Sequence, residues 1–251
     1  MLSSLDPPPF RTREGAPHSP YLLIADHAGR ALPRALGDLG LTPAELETHI
    51  AWDIGVAGVS ERLAAKLSAF LILQSYSRLV IDCNRPLDSP TSIATLSEVT
   101  EIPGNRDLTE EARKARVDAV FLPYHERIVA ELERRASASQ PTILISMHSF
   151  TPRFKGVDRK WHCGVLYHRD PRLAKSLLPL LEREGFVVGD NEPYSVSDQT
   201  DYAIPRYGEA RGLPHVELEI RQDLIAYEAG QLEWAERLSR AIPEAVAALA
   251  L

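Results

Sequence analysis

Nine consecutive residues, Thr142-Ile143-Leu144-Ile145-Ser146-Met147-His148-Ser149-Phe150, constrain this chain more than any other feature. A β-branched apolar run that turns polar at a histidine reads as a core strand delivering one imidazole to the rim of a sheet. Tyr21-Leu22-Leu23-Ile24-Ala25-Asp26-His27 has the same shape, and Ala28-Gly29-Arg30 turns the chain away from it. Ligands of open α/β sheets collect at the carboxyl ends of strands, so His27 and His148 are expected to converge and to hold a metal between them.

A chain of 251 residues can bury a full core, and without a linker it is read as one domain over 1–251, with residues 1–19 as an irregular, proline-rich arm. A formal charge of −7 argues against general nucleic-acid binding, and an anionic substrate would need a local arginine. No apolar run is long enough to span a bilayer and no secretory pattern opens the chain. Two distant cysteines, Cys83 and Cys163, fit buried thiols in a reducing cytoplasm.

Along the chain, Thr42, Pro43 and Glu45 form a capping box for a short helix, and a second helix runs from about Ala51 to Leu67. Strands are expected at 70–74, at 79–86 up to Pro86, at 162–167 and 186–188, and from Leu213 to Ile220. Residues 87–108 read as a long surface loop that could rim a site. The longest helical pattern starts at Thr109 and should kink at Pro123, re-aiming Tyr124 and His125. Helices are also expected at 171–184, 200–210 and 229–249. This alternation predicts an α/β fold, a mostly parallel or mixed sheet sandwiched between helices.

Several polar groups could carry chemistry. On the last strand His215, Glu217, Glu219 and Arg221 share one face. Either that face lies in water on an edge strand, or a glutamate on it takes a proton from bound water and passes it to a leaving amine. Asn84-Arg85 suits a carboxylate, against the reading of an exposed turn. Asp53 could complete a metal site of two histidines and one carboxylate, or merely cap its helix. His125 beside Tyr124, and Asn191 with Tyr194, could line a pocket or bond within loops. His49, His162 and His168 carry no second feature and are read as structural. The absence of a G-x-S-x-G elbow and of a phosphate-cradling glycine loop removes the commonest serine-hydrolase and nucleotide-binding readings.

Taken together and in order, Asp26-His27-Ala28-Gly29 with Leu32-Pro33, Ala51-Trp52-Asp53-Ile54-Gly55, the block from Ser77 to Pro86, Met147-His148-Ser149-Phe150 and Leu218-Glu219-Ile220 resemble the N-formylglutamate amidohydrolase family. That family is similar to zinc carboxypeptidases and the aspartoacylase group, which implies a three-layer sandwich about a mixed sheet. The resemblance further implies one zinc ion on His27 and His148, a substrate carboxylate on Asn84 and Arg85, and Glu219 as general base. Aspartoacylase-like sites take an acidic ligand three residues after the first histidine, where this chain has Arg30, so Asp53 is nominated instead. Arg78 or Arg221 would meet a second carboxylate or the tetrahedral oxyanion. The expected reaction is hydrolysis of an N-acyl amide on an acidic amino acid, N-formyl-L-glutamate first. A deacylase of other N-acyl amino acids or peptides, a metal-free metabolite-binding protein and a structural interaction protein stay open as alternatives.

Overall fold

Phe10–Arg13, inside the arm expected to be irregular, forms the first strand, β1. Its backbone supplies the antiparallel partner that the edge of the main sheet would otherwise lack. In this computed structural model, which describes residues 1–249, β1 is followed by β2 (Tyr21–Ala25), α1 (Pro43–Leu46), α2 (Val56–Leu67) and β3 (Phe70–Gln74). A small hairpin, β4 (Leu96–Ser97) and β5 (Thr100–Glu101), precedes α3 (Glu110–Arg116) and α4 (Leu122–Ser137). Then come β6 (Ile143–Phe150), a second hairpin of β7 (Arg153–Phe154) and β8 (Val157–Asp158), β9 (Cys163–Leu166), α5 (Arg172–Glu182) and β10 (Val188–Asp190). The chain closes with β11 (His215–Arg221) and α6 (Glu228–Ala247).

Seven strands form the main sheet in the order β1-β3-β2-β6-β11-β9-β10. β3, β2, β6 and β11 run parallel to one another, as do β9 and β10, while β1 and the β11/β9 pair are antiparallel. Alternation of side chains divides the apolar residues between two cores. Leu23, Ala25, Ile145, Met147, Val216 and Leu218 pack beneath α2, α5 and α6. Leu22, Ile24, Ile72 and Leu144 pack on the other face against Phe121, Tyr124, Ile128 and Leu132 of the α3–α4 arm. The result is the expected three-layer sandwich about a mostly parallel sheet.

Local differences from expectation have identifiable causes. Residues 79–86 form consecutive turns instead of a strand, because side chains capture the main chain. Leu79 N donates to Ser77 Oγ, Asn84 N to Asp82 Oδ1, and Arg85 N to Asp82 O. The bend expected at Pro123 is taken up by a π turn over Val117–Phe121, whose wider hydrogen-bond spacing accommodates a residue without an N–H. At 200–210 the helical segment is likewise a π turn, Ile204–Gly208, continued by a 3-10 turn. Strand β11 is no edge strand. It lies between β6 and β9, so its polar face is buried in protein and the water-facing reading fails. Among the described residues no helix is long and apolar enough to cross a membrane, and Cys83 and Cys163 are buried and unpaired.

Candidate active site

His27 follows the end of β2 and His148 projects from β6, the neighbouring strand, so the parallel register carries both imidazoles to one point. Their Nδ1 atoms lie 3.2 Å apart. Asp53 reaches the same point from the turn before α2. The helix begins at Val56 with Gly55 at its cap, so the Asp53 carboxylate does not cap it. Gly55 has φ 82°, and a Cβ there would lie 2.1 Å from Ile225 O. Only glycine therefore allows the turn that swings Asp53 inward. Asp53 Oδ2 is 3.1 Å from His148 Nδ1 and 3.5 Å from His27 Nδ1.

These three separations test whether a metal fits. A tetrahedral ion with bonds of 2.0–2.1 Å keeps its ligands about 3.3 Å apart, close to the triangle of 3.2, 3.1 and 3.5 Å. Two nitrogens and one carboxylate oxygen are also the donor set of a zinc hydrolase that keeps one position open. The triad fits such an ion. Burial alone would push the Asp53 carboxyl up, but the charge of His27 and hydrogen bonding from His148 hold it well below the usual carboxylate range, leaving it anionic.

The outward-facing nitrogens are held too. His27 Nε2 meets Asp82 Oδ1 at 2.7 Å, and His148 Nε2 meets Ser146 Oγ at 3.0 Å with Asp26 Oδ2 at 3.6 Å. Such partners fix tautomer and ring orientation so that Nδ1 points at the shared centre. Arg78 donates from Nη2 to Asp82 Oδ2 at 2.7 Å and lies 3.6 Å from Asp53 Oδ1. Burial opposes ionisation of Asp82, yet Arg78, His27 and Arg85 hold its carboxyl well below the usual range.

Glu217 and Glu219 complete the buried wall. β11 pairs with β6 so that Glu219 stands opposite His148 and Glu217 opposite Ser146. Both line a cavity of about 700 Å³ with His27, Asp53 and His148, and each leaves Oε2 without a hydrogen-bond partner among the described residues. Burial raises the Glu217 carboxyl well above the usual range, against the pull of His148, and Asp201 and Glu219 add to the rise. This burial favours the neutral form of Glu217. Burial raises Glu219 only to about 7, because His148, His27 and Arg78 offset it. A carboxyl poised there can accept and return a proton near neutrality.

A histidine pair with one aspartate, backed by a second aspartate and faced by a poised glutamate, is a hydrolytic arrangement, and the N-formylglutamate amidohydrolase family model matches residues 19–226, the span that carries all of these groups. The chain belongs to the N-formylglutamate amidohydrolase family. This places it among amidohydrolases. Gene product Atu2144 from Agrobacterium tumefaciens is similar over 98% of both chains at 35% identity, with a TM-score of 0.95. An N-formylglutamate amidohydrolase from Ralstonia eutropha JMP134 shares the fold at 18% identity, covering 95% of this chain and 97% of that one, with a TM-score of 0.72. Among curated proteins none matches.

Within the amidohydrolase cavity the remaining expected residues fall into two groups. Arg85, Asn84, Arg78, Asn191 and Tyr194 line it. Asn84, however, spends both ends of its amide on the 201–203 segment: Oδ1 accepts from Tyr202 N and Ala203 N, and Nδ2 donates to Asp201 Oδ1. Among the described residues Arg85 donates only to the main-chain oxygens of Thr200 and Asn84. His125 and Arg221 do not reach the cavity. His125 packs in a cluster with the rings of Phe121 and Tyr202, with Nδ1 2.7 Å from Tyr207 Oη. Arg221 turns away to Asp223 and the carbonyls of Arg159 and Trp161. His49, expected to be structural, lines the cavity 3.1 Å from Glu98 Oε2. Asp82, Asp26 and Ser146 had no individual signal beyond a polar residue in an otherwise apolar run. The hairpin at 96–101 lies inside the expected 87–108 loop and does rim the cavity, through Leu96, Ser97 and Glu98. Arg30 lies away from the triad, paired with Glu47 and placed over Trp52.

Proposed function

We propose that this protein hydrolyses the N-acyl amide of an acidic amino acid, with N-formyl-L-glutamate going to formate and L-glutamate, at a zinc ion held by His27, Asp53 and His148. When bound, the metal supplies Lewis-acid chemistry, acidifying water and polarising the amide carbonyl. Arg85 binds the amino acid's carboxylate at the cavity wall and so orients the scissile bond, and Asn84 steadies the 201–203 segment behind it. Glu219 accepts a proton from the attacking water as its oxygen bonds to the acyl carbon. The same carboxyl returns the proton to the amine nitrogen as the C–N bond breaks, so one group serves both halves of the reaction. Burial biases the Glu217 carboxyl beside it toward its neutral form, which carries no charge to repel a carboxylate substrate.

The observation that carries this reading is the triangle of His27, His148 and Asp53 with Glu219 in register beside His148. Formate release from N-formyl-L-glutamate by zinc-loaded protein, compared with N-acetyl-L-glutamate and N-formyl-L-methionine, tests it. Faster turnover of formylglutamate than of either analogue is the expected result. Preference for the acetyl compound would move the activity to another N-acyl amino acid, and no turnover of any of the three would overturn the proposal.

A further inference from the structure

A substrate with two carboxylates needs two cations whose charge is not already met, and the cavity wall supplies only one. Arg78 is spent on Asp82 and Asp53. Arg85 is free of carboxylate partners among the described residues, with only main-chain oxygens as acceptors. Glu98, Glu192 and Asp201 also line the cavity and would repel a second negative group.

A further cation, Arg159, stands directly behind three of the residues that line the cavity, outside the lining itself. Arg159, on the strand-free segment between β8 and β9, places its guanidinium 4.6 Å from the Tyr194 ring, 4.7 Å from Phe154 and 5.7 Å from Phe150, all three of which line the cavity. Its Nη1 donates to Tyr194 Oη at 2.7 Å. Among the described residues no carboxylate lies within 4 Å of the guanidinium, and its other N–H groups have no acceptor. Three aromatic rings and one hydroxyl thus pre-orient a half-buried fork whose charge is unmet, an arrangement suited to a planar carboxylate.

We propose that Arg159, held by Tyr194 and Phe154, binds the second carboxylate of the substrate and makes the enzyme select acidic over neutral amino acids. This rests on the hydrolytic reading above, which leaves the second carboxylate unassigned. The test compares wild type, Arg159→Met and Arg159→Lys on N-formyl-L-glutamate and on N-formyl-L-glutamine, which replaces one carboxylate by an amide of the same shape. Arg159→Met should lower the glutamate-to-glutamine ratio of kcat/KM about tenfold or more, mainly through KM for the glutamate compound. Arg159→Lys should recover part of the ratio. An unchanged ratio, or equal losses on both substrates, overturns the assignment.

Calorimetric binding of L-glutamate and L-glutamine to the zinc-loaded proteins separates this idea from the reaction itself. A preference for L-glutamate in wild type that Arg159→Met abolishes supports the assignment even without turnover of a formyl compound, a result that would sink only the reaction. No preference in wild type, or one unaltered in the variant, overturns it.

Discussion

His27 Nε2 and Asp82 Oδ1 are 2.7 Å apart, and both side chains are almost wholly shielded from solvent. A carboxylate behind a ligating imidazole fixes its orientation and raises its basicity. Asp82→Asn keeps the size and one hydrogen bond but removes the charge. Zinc affinity should fall about 10- to 100-fold by chelator competition, while the far-ultraviolet circular dichroism spectrum is unchanged. An unaltered affinity would show that Asp82 serves Arg78 alone.

Removing a ring from the triangle should empty it. His27→Ala and His148→Ala proteins, purified in parallel with wild type, are expected to lose stoichiometric zinc by elemental analysis. Asp53→Asn should weaken binding without abolishing it, since the two nitrogens remain. Full occupancy in either histidine variant would refute the ligand assignment.

Glu219→Gln separates proton transfer from metal holding. The variant should retain zinc and bind substrate with near-normal KM, while kcat falls by about 100-fold or more. Burial raises the Glu219 carboxyl to about 7, and only its deprotonated form accepts a proton, so kcat/KM should drop as pH falls through an acidic limb. A bound cation nearby pulls that limb below 7. Persistence of the same limb in the residual activity of Glu219→Gln would assign it to another group.

His125 makes stability depend on pH. Burial lowers its folded pKa to about 4, with Asp26 and the Cys83 carbonyl opposing, whereas the unfolded value is about 6.5. Between those limits the unfolded chain binds the extra proton, so stability is complete above pH 6.5 and declines as pH falls toward 4. One group shifted this far costs about 2 kcal/mol at pH 5 and about 3 kcal/mol at pH 4. Urea unfolding at pH 7 and pH 5 should show the loss in wild type and a smaller one in His125→Gln. Equal losses would place the titration elsewhere.

The sandwich and the meeting of two imidazoles were legible because both depend on patterns with one solution. An unbroken apolar run ending in His27 or passing through His148 has to lie in the core, and parallel neighbours align their ends. Asp53, Asp82 and Glu217 depended on tertiary facts. Whether Asp53 capped α2 or left it turned on the left-handed Gly55, and whether the β11 glutamates met water turned on β9 pairing alongside. Leu79–Arg85 misled for a local reason. Its apolar residues mimic a strand, but the side chains of Ser77 and Asp82 accept from main-chain N–H groups and coil it. Arg221 follows the alternation of β11 by position, yet its long side chain finds Asp223 and two carbonyls outside the cavity.

The ladder between β6 and β11, which sets Glu219 opposite His148 and Glu217 opposite Ser146, separates two kinds of change this protein can undergo. The two glutamates are spaced by main-chain pairing, and a slip of one residue would turn both to the opposite face, so that pair is either kept whole or lost. Arg85, Tyr194 and Arg159 sit on connecting segments outside the ladder. Those segments can be rewritten one side chain at a time, changing the lining of the cavity while the register of the two glutamates stays the same.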